Sequence, residues 1–279
     1  MTEPTKNAIL DTDFISKANI IQSGNSVLAD EVLSFPGYRF FCHQKMVEEL
    51  GDHGTRPSQE WLAKKIAAGM IDSYSDERII REMREQTGNN CFSYYRSFLK
   101  NGCDLFHRDF YPSHFEALDR YLESGNLTGK AFLSVLQTCE GTIGHQESYG
   151  EIKAFVLSQA LKLLKGTDTY IFCSDDFGAR QGFANGALIP CISILGVFLK
   201  MKLMGKSMEE VQPFFHSFVR WCTERENPQT HVRVWEFASG SDKRVRVPIS
   251  TLLTEIFDGK YQARKDGDLQ MVKNENTTA

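Results

Sequence analysis

The chain lacks the spacing that cysteine chemistry needs. Its seven cysteines, an odd number, are scattered from Cys42 to Cys222 with no C-x-x-C pair, which argues against both a zinc knuckle and a disulfide framework. Reduced, mostly buried thiols are the expectation. A strong charge of either sign is also missing: 32 Lys and Arg stand against 36 Asp and Glu, for a net charge of −4. Nothing global therefore draws the chain to nucleic acid, and such a partner would need a local basic surface. Long apolar runs are scarce. The longest, ALIPCISILGVFLKMK around Leu195, holds a proline and ends in lysines, too short and interrupted to span a membrane. The opening MTEPTKNAILDTDFISK has no basic start followed by an apolar stretch, so neither a secretory leader nor membrane attachment is expected, and the expected location is cytoplasmic. Internal repeats and low-complexity tracts are absent.

What is present is ordinary globular composition. With 279 residues, 41% of them hydrophobic, the chain can build one large domain or two smaller ones. Ala8-Ile9-Leu10 reads as a buried parallel strand ending at Asp11. A helix is expected over roughly Ser26 to Leu33, a second strand over Tyr38 to Cys42 after the Phe35-Pro36-Gly37 turn, and a helix from His43 to Leu50. From about 51 to 144 the texture changes to Glu, Arg, Lys and Phe at helical spacing, which predicts a helical insertion between strand–helix units. Its Phe92, Tyr94, Tyr95 and Phe98 fit a helix core better than a base-stacking platform. Alternation then resumes: a helix opened by Gly150-Glu151 and running to Lys165, a strand Tyr170–Cys173, a short helix containing Arg180, a brief strand over Ala187 to Cys191, and a helix from Ile194 to Met204. A further helix follows Lys206, and HVRVWEFASGSDKRVRVPI alternates with period two around Ser239-Gly240-Ser241, a β-hairpin signal. The polar end, MVKNENTTA, is expected to fray.

The informative pattern is where the acids fall. Asp11 ends the first strand, Glu48 and Glu49 lie in the helix after the second, Glu151 opens the helix leading into a later strand, and Asp175 and Asp176 end that strand. In a parallel sheet the carboxyl ends of strands form one rim where ligands bind. Carboxylates gathered there repel one another unless a proton or cation intervenes, and hard oxygen ligands suit Mg²⁺ or Mn²⁺. His43, His53 and His145 have no metal-ligand spacing and read as structural. Arg180, about a turn into its helix, suits either a phosphate or one of the acids. In the hairpin, His231, Arg233, Lys243, Arg244 and Arg246 make a basic ribbon, with Arg244 and Arg246 on one face, fit to hold an RNA backbone or to keep a strand edge soluble.

These segments carry a resemblance. Asp11-Thr12-Asp13-Phe14-Ile15-Ser16 after an apolar run resembles the opening of PIN-domain nucleases. Val47-Glu48-Glu49-Leu50 resembles their second acidic motif, with Glu49 before the leucine as the matching acid. Gly150-Glu151, with Ala154, Leu157 and Ala160 behind it, resembles the third, and Ser174-Asp175-Asp176-Phe177-Gly178-Ala179-Arg180 the fourth. Ile192-Ser193-Ile194-Leu195-Gly196-Val197 is similar to the segment that follows in one subgroup. The four motifs occur in the family's order and cover roughly 7–50 and 145–205. The resemblance implies a PIN-like three-layer α/β fold over 1–205, with a central parallel sheet interrupted by the insertion at about 51–144. Residues 206–279 would add a helix, the β-hairpin and a tail. It implies a divalent-metal-dependent endoribonuclease using Mg²⁺ or Mn²⁺, with Asp11, Glu49, Glu151 and Asp176 catalytic and metal-holding, Asp175 assisting, and Thr12 and Ser174 orienting the carboxylates. Arg180, Arg244 and Arg246 would contact the RNA, and an antitoxin or regulatory protein is the expected protein partner. Two other readings stand beside it: a catalytically inactive RNA-binding or scaffold module, and a phosphatase of the haloacid-dehalogenase type in which Asp11 of Asp11-Thr12-Asp13 is a nucleophile.

Overall fold

The structure is a computed structural model that describes residues 6–52, 56–143, 148–238 and 241–273. In chain order, strand β1 (Lys6–Leu10) leads to helix α1 (Thr12–Ile20), a small ladder of β2 (Gln22–Ser23) with β3 (Ser26–Val27), and helix α2 (Leu28–Leu33). Strand β4 (Tyr38–His43), helices α3 (Gln44–Asp52) and α4 (Arg56–Ala67) and strand β5 (Ile71–Tyr74) follow. Next come helices α5 (Asp76–Thr87), α6 (Asn90–Phe106), α7 (Phe110–His114), α8 (Glu116–Glu123), α9 (Gly129–Glu140) and α10 (Tyr149–Lys165). Strand β6 (Thr169–Cys173), helix α11 (Phe177–Gln181), strand β7 (Cys191–Ile192), and helices α12 (Ile194–Leu203) and α13 (Met208–Thr223) precede the hairpin β8 (His231–Ala238) and β9 (Ser241–Pro248). Helix α14 (Ile249–Phe257) and strands β10 (Tyr261–Ala263) and β11 (Leu269–Met271) close the described chain.

Five strands form one parallel sheet in the order β5-β4-β1-β6-β7, with Ala8 opposite Phe40, Ile9 opposite Phe172, and Cys173 opposite Ile192. Both faces are covered, so the strands read as continuous apolar runs. Ala8, Leu10, Phe40, Cys42, Ile71 and Cys173 point into one core, with α1, α2 and α12 to α14. Ile9, Phe41, Tyr74 and Phe172 point into a second, with α5, α6 and α8 to α10. Side-chain alternation along each strand thus divides the molecule into helices, sheet and helices. In the second core α6 and α10 approach closely at Gly102, where an added Cβ would come within 3.2 Å of Ile152.

Several expectations need correction. The helix expected from Ser26 starts at Leu28, because Ser26–Val27 pair with Gln22–Ser23 around Gly24, whose φ is +58°. The strand expected over Ala187 to Cys191 shrinks to Cys191–Ile192: a wide helical turn occupies 182–186, and Leu188 sits in the left-handed region at φ +59°, which breaks an extended run. The stretch 51–144 is not wholly helical, since β5 lies within it and forms an edge of the parallel sheet. Helix α1 was not anticipated, nor were α14, β10 and β11. The last two join the hairpin in a four-stranded sheet ordered β10-β11-β8-β9, so Met271, expected in the frayed end, belongs to a strand. The hairpin arms stand where expected; Ser239 and Gly240 of its turn, and 274–279, lie outside the described residues.

A buried polar cluster ties the helical region to the sheet. The Lys153 ammonium, 1% exposed, donates to Asp76 Oδ2 at 2.7 Å and to Tyr95 Oη at 2.9 Å, and pairs with Glu140 at 2.5 Å. His43 Nε2 lies 3.1 Å from Asp76, and Tyr149 donates to Glu140 at 2.6 Å. His43 is therefore a structural histidine; His53 and His145 lie outside the described residues. Phe92 and Tyr95 are core residues, and the more open Tyr94 and Phe98 rings stack on each other. All seven cysteines are buried and unbridged. Among the described residues no helix is long and apolar enough to cross a membrane.

Candidate active site

Chain order places β4 and β5 on one side of β1 and β6 and β7 on the other. The sheet reverses its direction of growth between β1 and β6, and such a switch point opens a crevice at the strands' carboxyl ends. Asp11 follows β1 and Ser174-Asp175-Asp176 follow β6, so the two acidic segments flank this crevice. The backbone N–H of Asp11 donates to the Cys173 carbonyl at 3.0 Å, which carries strand pairing up to the acid itself.

The supporting hydroxyls make the bonds expected of them. Ser174 Oγ donates to Asp11 Oδ2 at 2.7 Å and accepts from the Asp176 N–H at 3.1 Å. Thr12 Oγ1 donates to Glu49 Oε2 at 2.8 Å. Of the doubled acids in α3, Glu48 turns outward to Lys45 and is 54% exposed, whereas Glu49 faces the crevice. Gly150 makes room for it: an added Cβ would lie 2.7 Å from a Glu49 carboxylate oxygen. The glycine thus lets Glu49 reach the first turn of α10, where backbone N–H groups favour negative charge and where Glu151 also stands.

Asp175 and Asp176 have different tasks. Asp176 is the N-cap of α11, its Oδ1 accepting from the Ala179 N–H at 2.6 Å, a local bond that leaves its other oxygen for further work. Asp175 Oδ1 accepts from the Ile194 N–H at 3.1 Å, and its Oδ2 takes Lys17 at 2.8 Å. Lys17 also holds Asp13 at 2.7 Å. Asp13 and Lys17, one turn apart on α1, were missed as site residues because α1 was not foreseen; the signal, an acid and a lysine four apart after Asp11, is present in the sequence.

The electrostatics show that the acids share one region. Burial, then the negative charge of Glu151, with Asp13 and Glu49 adding, pushes the Asp11 carboxyl well above the usual range, against the lowering effect of Ser174. Glu151 is pushed up to about 7 by burial and by Glu49, Asp176 and Asp13. Asp13 is raised by burial and by Asp175 and Asp176, although Lys17 pulls the other way. Burial alone would lower the Lys17 ammonium, but Asp175 and Asp13 overcome it and raise it. Six carboxylates thus crowd one crevice with one lysine among them.

As the side chains stand, no three His, Cys, Asp or Glu groups among the described residues form a ready metal cage. Glu49 and Asp11 each lend an oxygen to a neighbouring hydroxyl, and the acids surround the crevice without closing on one point. The donor set is nevertheless all oxygen and electrically unbalanced, which fits a hard divalent cation and not a soft one.

Arg180 is buried and fully engaged. Its Nε donates to the Asp266 carbonyl at 2.8 Å, Nη1 to the Ser174 carbonyl at 3.2 Å, and Nη2 pairs with Asp268 at 2.5 Å. It braces the β6 end against the C-terminal sheet. In the hairpin, Arg233 stands opposite Arg246 and Trp235 opposite Arg244, so His231, Arg233, Trp235, Arg244 and Arg246 share one face. Val232, Val234, Val245 and Val247 on the other face pack against the core. Compared with known protein families, curated proteins and solved structures, the chain matches none.

Proposed function

We propose that the chain is a divalent-metal-dependent endoribonuclease with a PIN-like fold, acting in the cytoplasm. The observation that carries this reading is the gathering of Asp11, Glu49, Glu151 and Asp176 at the switch point of a parallel sheet, with Ser174 bonded to Asp11 and Thr12 to Glu49. Burying a carboxylate costs stability; keeping Asp11 buried at a rim that Glu49, Glu151 and Asp176 share is intelligible if a cation offsets their charge. Asp11, Glu49, Glu151 and Asp176 would hold Mg²⁺ or Mn²⁺, with Asp175 assisting. Such an ion supplies an activated water and charge compensation for the phosphodiester.

The chain's own residues set up that chemistry. Ser174 fixes the Asp11 carboxylate and Thr12 fixes Glu49, so neither acid has to be ordered when a substrate arrives. Asp176 is anchored through one oxygen to α11. Lys17 offsets one of the two charges of Asp13 and Asp175, which limits the negative potential that an incoming phosphate meets. Arg180 acts as a positioning residue, holding the β6 end and the 266–268 turn together, while Arg244 and Arg246 offer charge to the RNA. An antitoxin or regulatory protein would be the protein partner of such an enzyme.

A phosphatase reading draws on one observation, the single Lys17 linking Asp13 and Asp175 in a D-x-D context. Incubation of a mixed RNA pool with Mn²⁺ tests the proposal. Wild type is expected to cut internally, while Asp11→Asn and Asp176→Asn do not cut and retain the wild-type circular dichroism. Hydrolysis of small phosphomonoesters without RNA cleavage would replace it with the phosphatase, and RNA binding without any cleavage with an inactive module.

A further inference from the structure

Beside the acidic crevice a cleft of about 590 Å³ opens between α13, the end of β6 and the basic face of the hairpin, and Lys17 and Asp175 belong to both. Its charge is the reverse of its neighbour's. Arg225, Arg233, Arg244 and Arg246 line it. Its two acids are already paired, Asp175 with Lys17, which Asp13 shares, and Asp268 with Arg180 and Arg244.

Three of the four arginines are poorly satisfied, while Arg244 pairs with Asp268 at 3.4 Å. Arg225, Arg233 and Arg246 make no ion pair with an acid among the described residues. Arg233 and Arg246 face each other directly across the ladder, a like-charge pairing that destabilises a hairpin unless an anion lies between. Arg244 Nε is buried without a hydrogen-bond partner, and its guanidinium lies 4.0 Å from the Phe177 ring centroid, one residue beyond Asp176. Flat surfaces accompany the charge: the Arg225 guanidinium covers Trp221 at 4.8 Å, and Phe218 and Phe177 also line the walls.

We infer that this cleft holds single-stranded RNA, with phosphates on Arg225, Arg233 and Arg246 and a base against Trp221, and leads it to the acidic crevice. The inference rests on the ribonuclease reading and adds its substrate class. Planar guanidinium groups suit phosphate oxygens, and an arginine-lined groove with aromatic walls is the way single strands are held without reading sequence. Aromatic walls in a cleft of about 590 Å³ favour a strand whose bases are free over a duplex, whose bases are stacked inside and whose recognition relies on a broad backbone-contacting surface. The hairpin's location also explains how a chain of net charge −4 would attract a polyanion.

The test is fluorescence anisotropy with a short labelled single-stranded RNA in EDTA, so that binding is read without cleavage. Wild type is expected to bind it more tightly than the same sequence in duplex form. Charge reversal in Arg233→Glu with Arg246→Glu should lower affinity at least about tenfold, and loss of two phosphate contacts should flatten the logarithmic salt slope by about 1.4. Trp221→Ala should cost roughly 5- to 100-fold, the worth of one stacked base. The paired Arg233→Lys, Arg246→Lys variant, which keeps charge and strand pairing, should retain most of the binding and show that any loss is not misfolding. Equal affinity for duplex, or unchanged affinity and slope in the charge-reversed variant, overturns the cleft assignment. Since EDTA removes the cation, a protein that binds this RNA as predicted yet never cleaves it refutes the catalytic reading alone. One that cleaves with the charge-reversed variant's KM unchanged refutes the cleft alone.

Discussion

Replacing Glu151 by Gln separates what the crevice costs from what it does. The side chain stands among Glu49, Asp176 and Asp13, and burial together with these charges moves its pKa from 4.5 to about 7. That difference corresponds to roughly 3 kcal/mol between its two protonation states, an upper limit because neighbouring acids share protons. The folded state holds the Glu151 proton more tightly than the unfolded chain does. Stability is therefore lost as pH rises from the ordinary carboxylate range through about 7, and below that range the group is neutral in both states. Urea unfolding in EDTA reads this directly. Glu151→Gln should be close to neutral near about pH 4, and should stabilise the protein by up to about 3 kcal/mol near about pH 8. Adding Mn²⁺ should reverse the order at the higher pH, because a ligand that binds only the folded wild type stabilises it by mass action. A destabilisation of the same size at both pH values would show that Glu151 is an ordinary packed side chain and that no repulsion is stored in the crevice.

Other perturbations have equally definite outcomes. Gly150→Ala places a methyl group against the Glu49 carboxylate, at 2.7 Å where it now stands. Displacing the acid should lower kcat about 100-fold with little change in melting temperature, and an unaltered kcat would mean that Glu49 is not needed where it lies. Lys153→Ala leaves Asp76 and Glu140 buried beside each other and should cost about 3–5 kcal/mol in equilibrium unfolding; a loss below about 1 kcal/mol would place the cluster among solvated pairs. Asp76 responds to acid in the opposite sense to Glu151. Although burial alone would raise it, the Lys153 and His43 beside it hold its carboxyl far below the usual range. It therefore stabilises the fold above the ordinary carboxylate pKa, and that contribution is lost as pH falls below it. Asp76→Asn should show a shallower loss of stability on acidification than wild type, and parallel curves would contradict the assignment.

The acids were legible because each stands at a boundary that local sequence marks. Ala8-Ile9-Leu10 reads as a buried strand with Asp11 at its end, and Tyr170–Cys173 places Asp175 and Asp176 in the same way. The choice of Glu49 over Glu48 rests on the resemblance, in which the acid stands directly before the leucine; in the structure Glu49 accepts from Thr12 while Glu48 turns to Lys45. What escaped reading depends on tertiary partners. Helix α1 has no side-chain N-cap and a mixed surface, so little beyond its packing declares it, and with it went Asp13 and Lys17. Strand β5 has just two buried residues, Ile71 and Tyr74, and exists by pairing with β4. Strands β10 and β11 are three residues each and depend on one another and on the hairpin. Arg180, expected at the RNA, is instead engaged within the protein, and its partner Asp268 lies 88 positions away in a turn whose sequence does not advertise a contact.

Manganese titration followed by electron paramagnetic resonance measures most directly whether the crevice is built around a cation. Wild type should remove Mn²⁺ from the free hexa-aqua signal with saturable stoichiometry, and Mg²⁺ should compete it off. Asp11→Asn and Glu151→Gln should each weaken that binding at least about tenfold, the loss expected when a charged oxygen ligand leaves such a site. A wild-type protein that leaves the free Mn²⁺ signal undiminished, or variants that bind it as well as wild type does, would contradict the account.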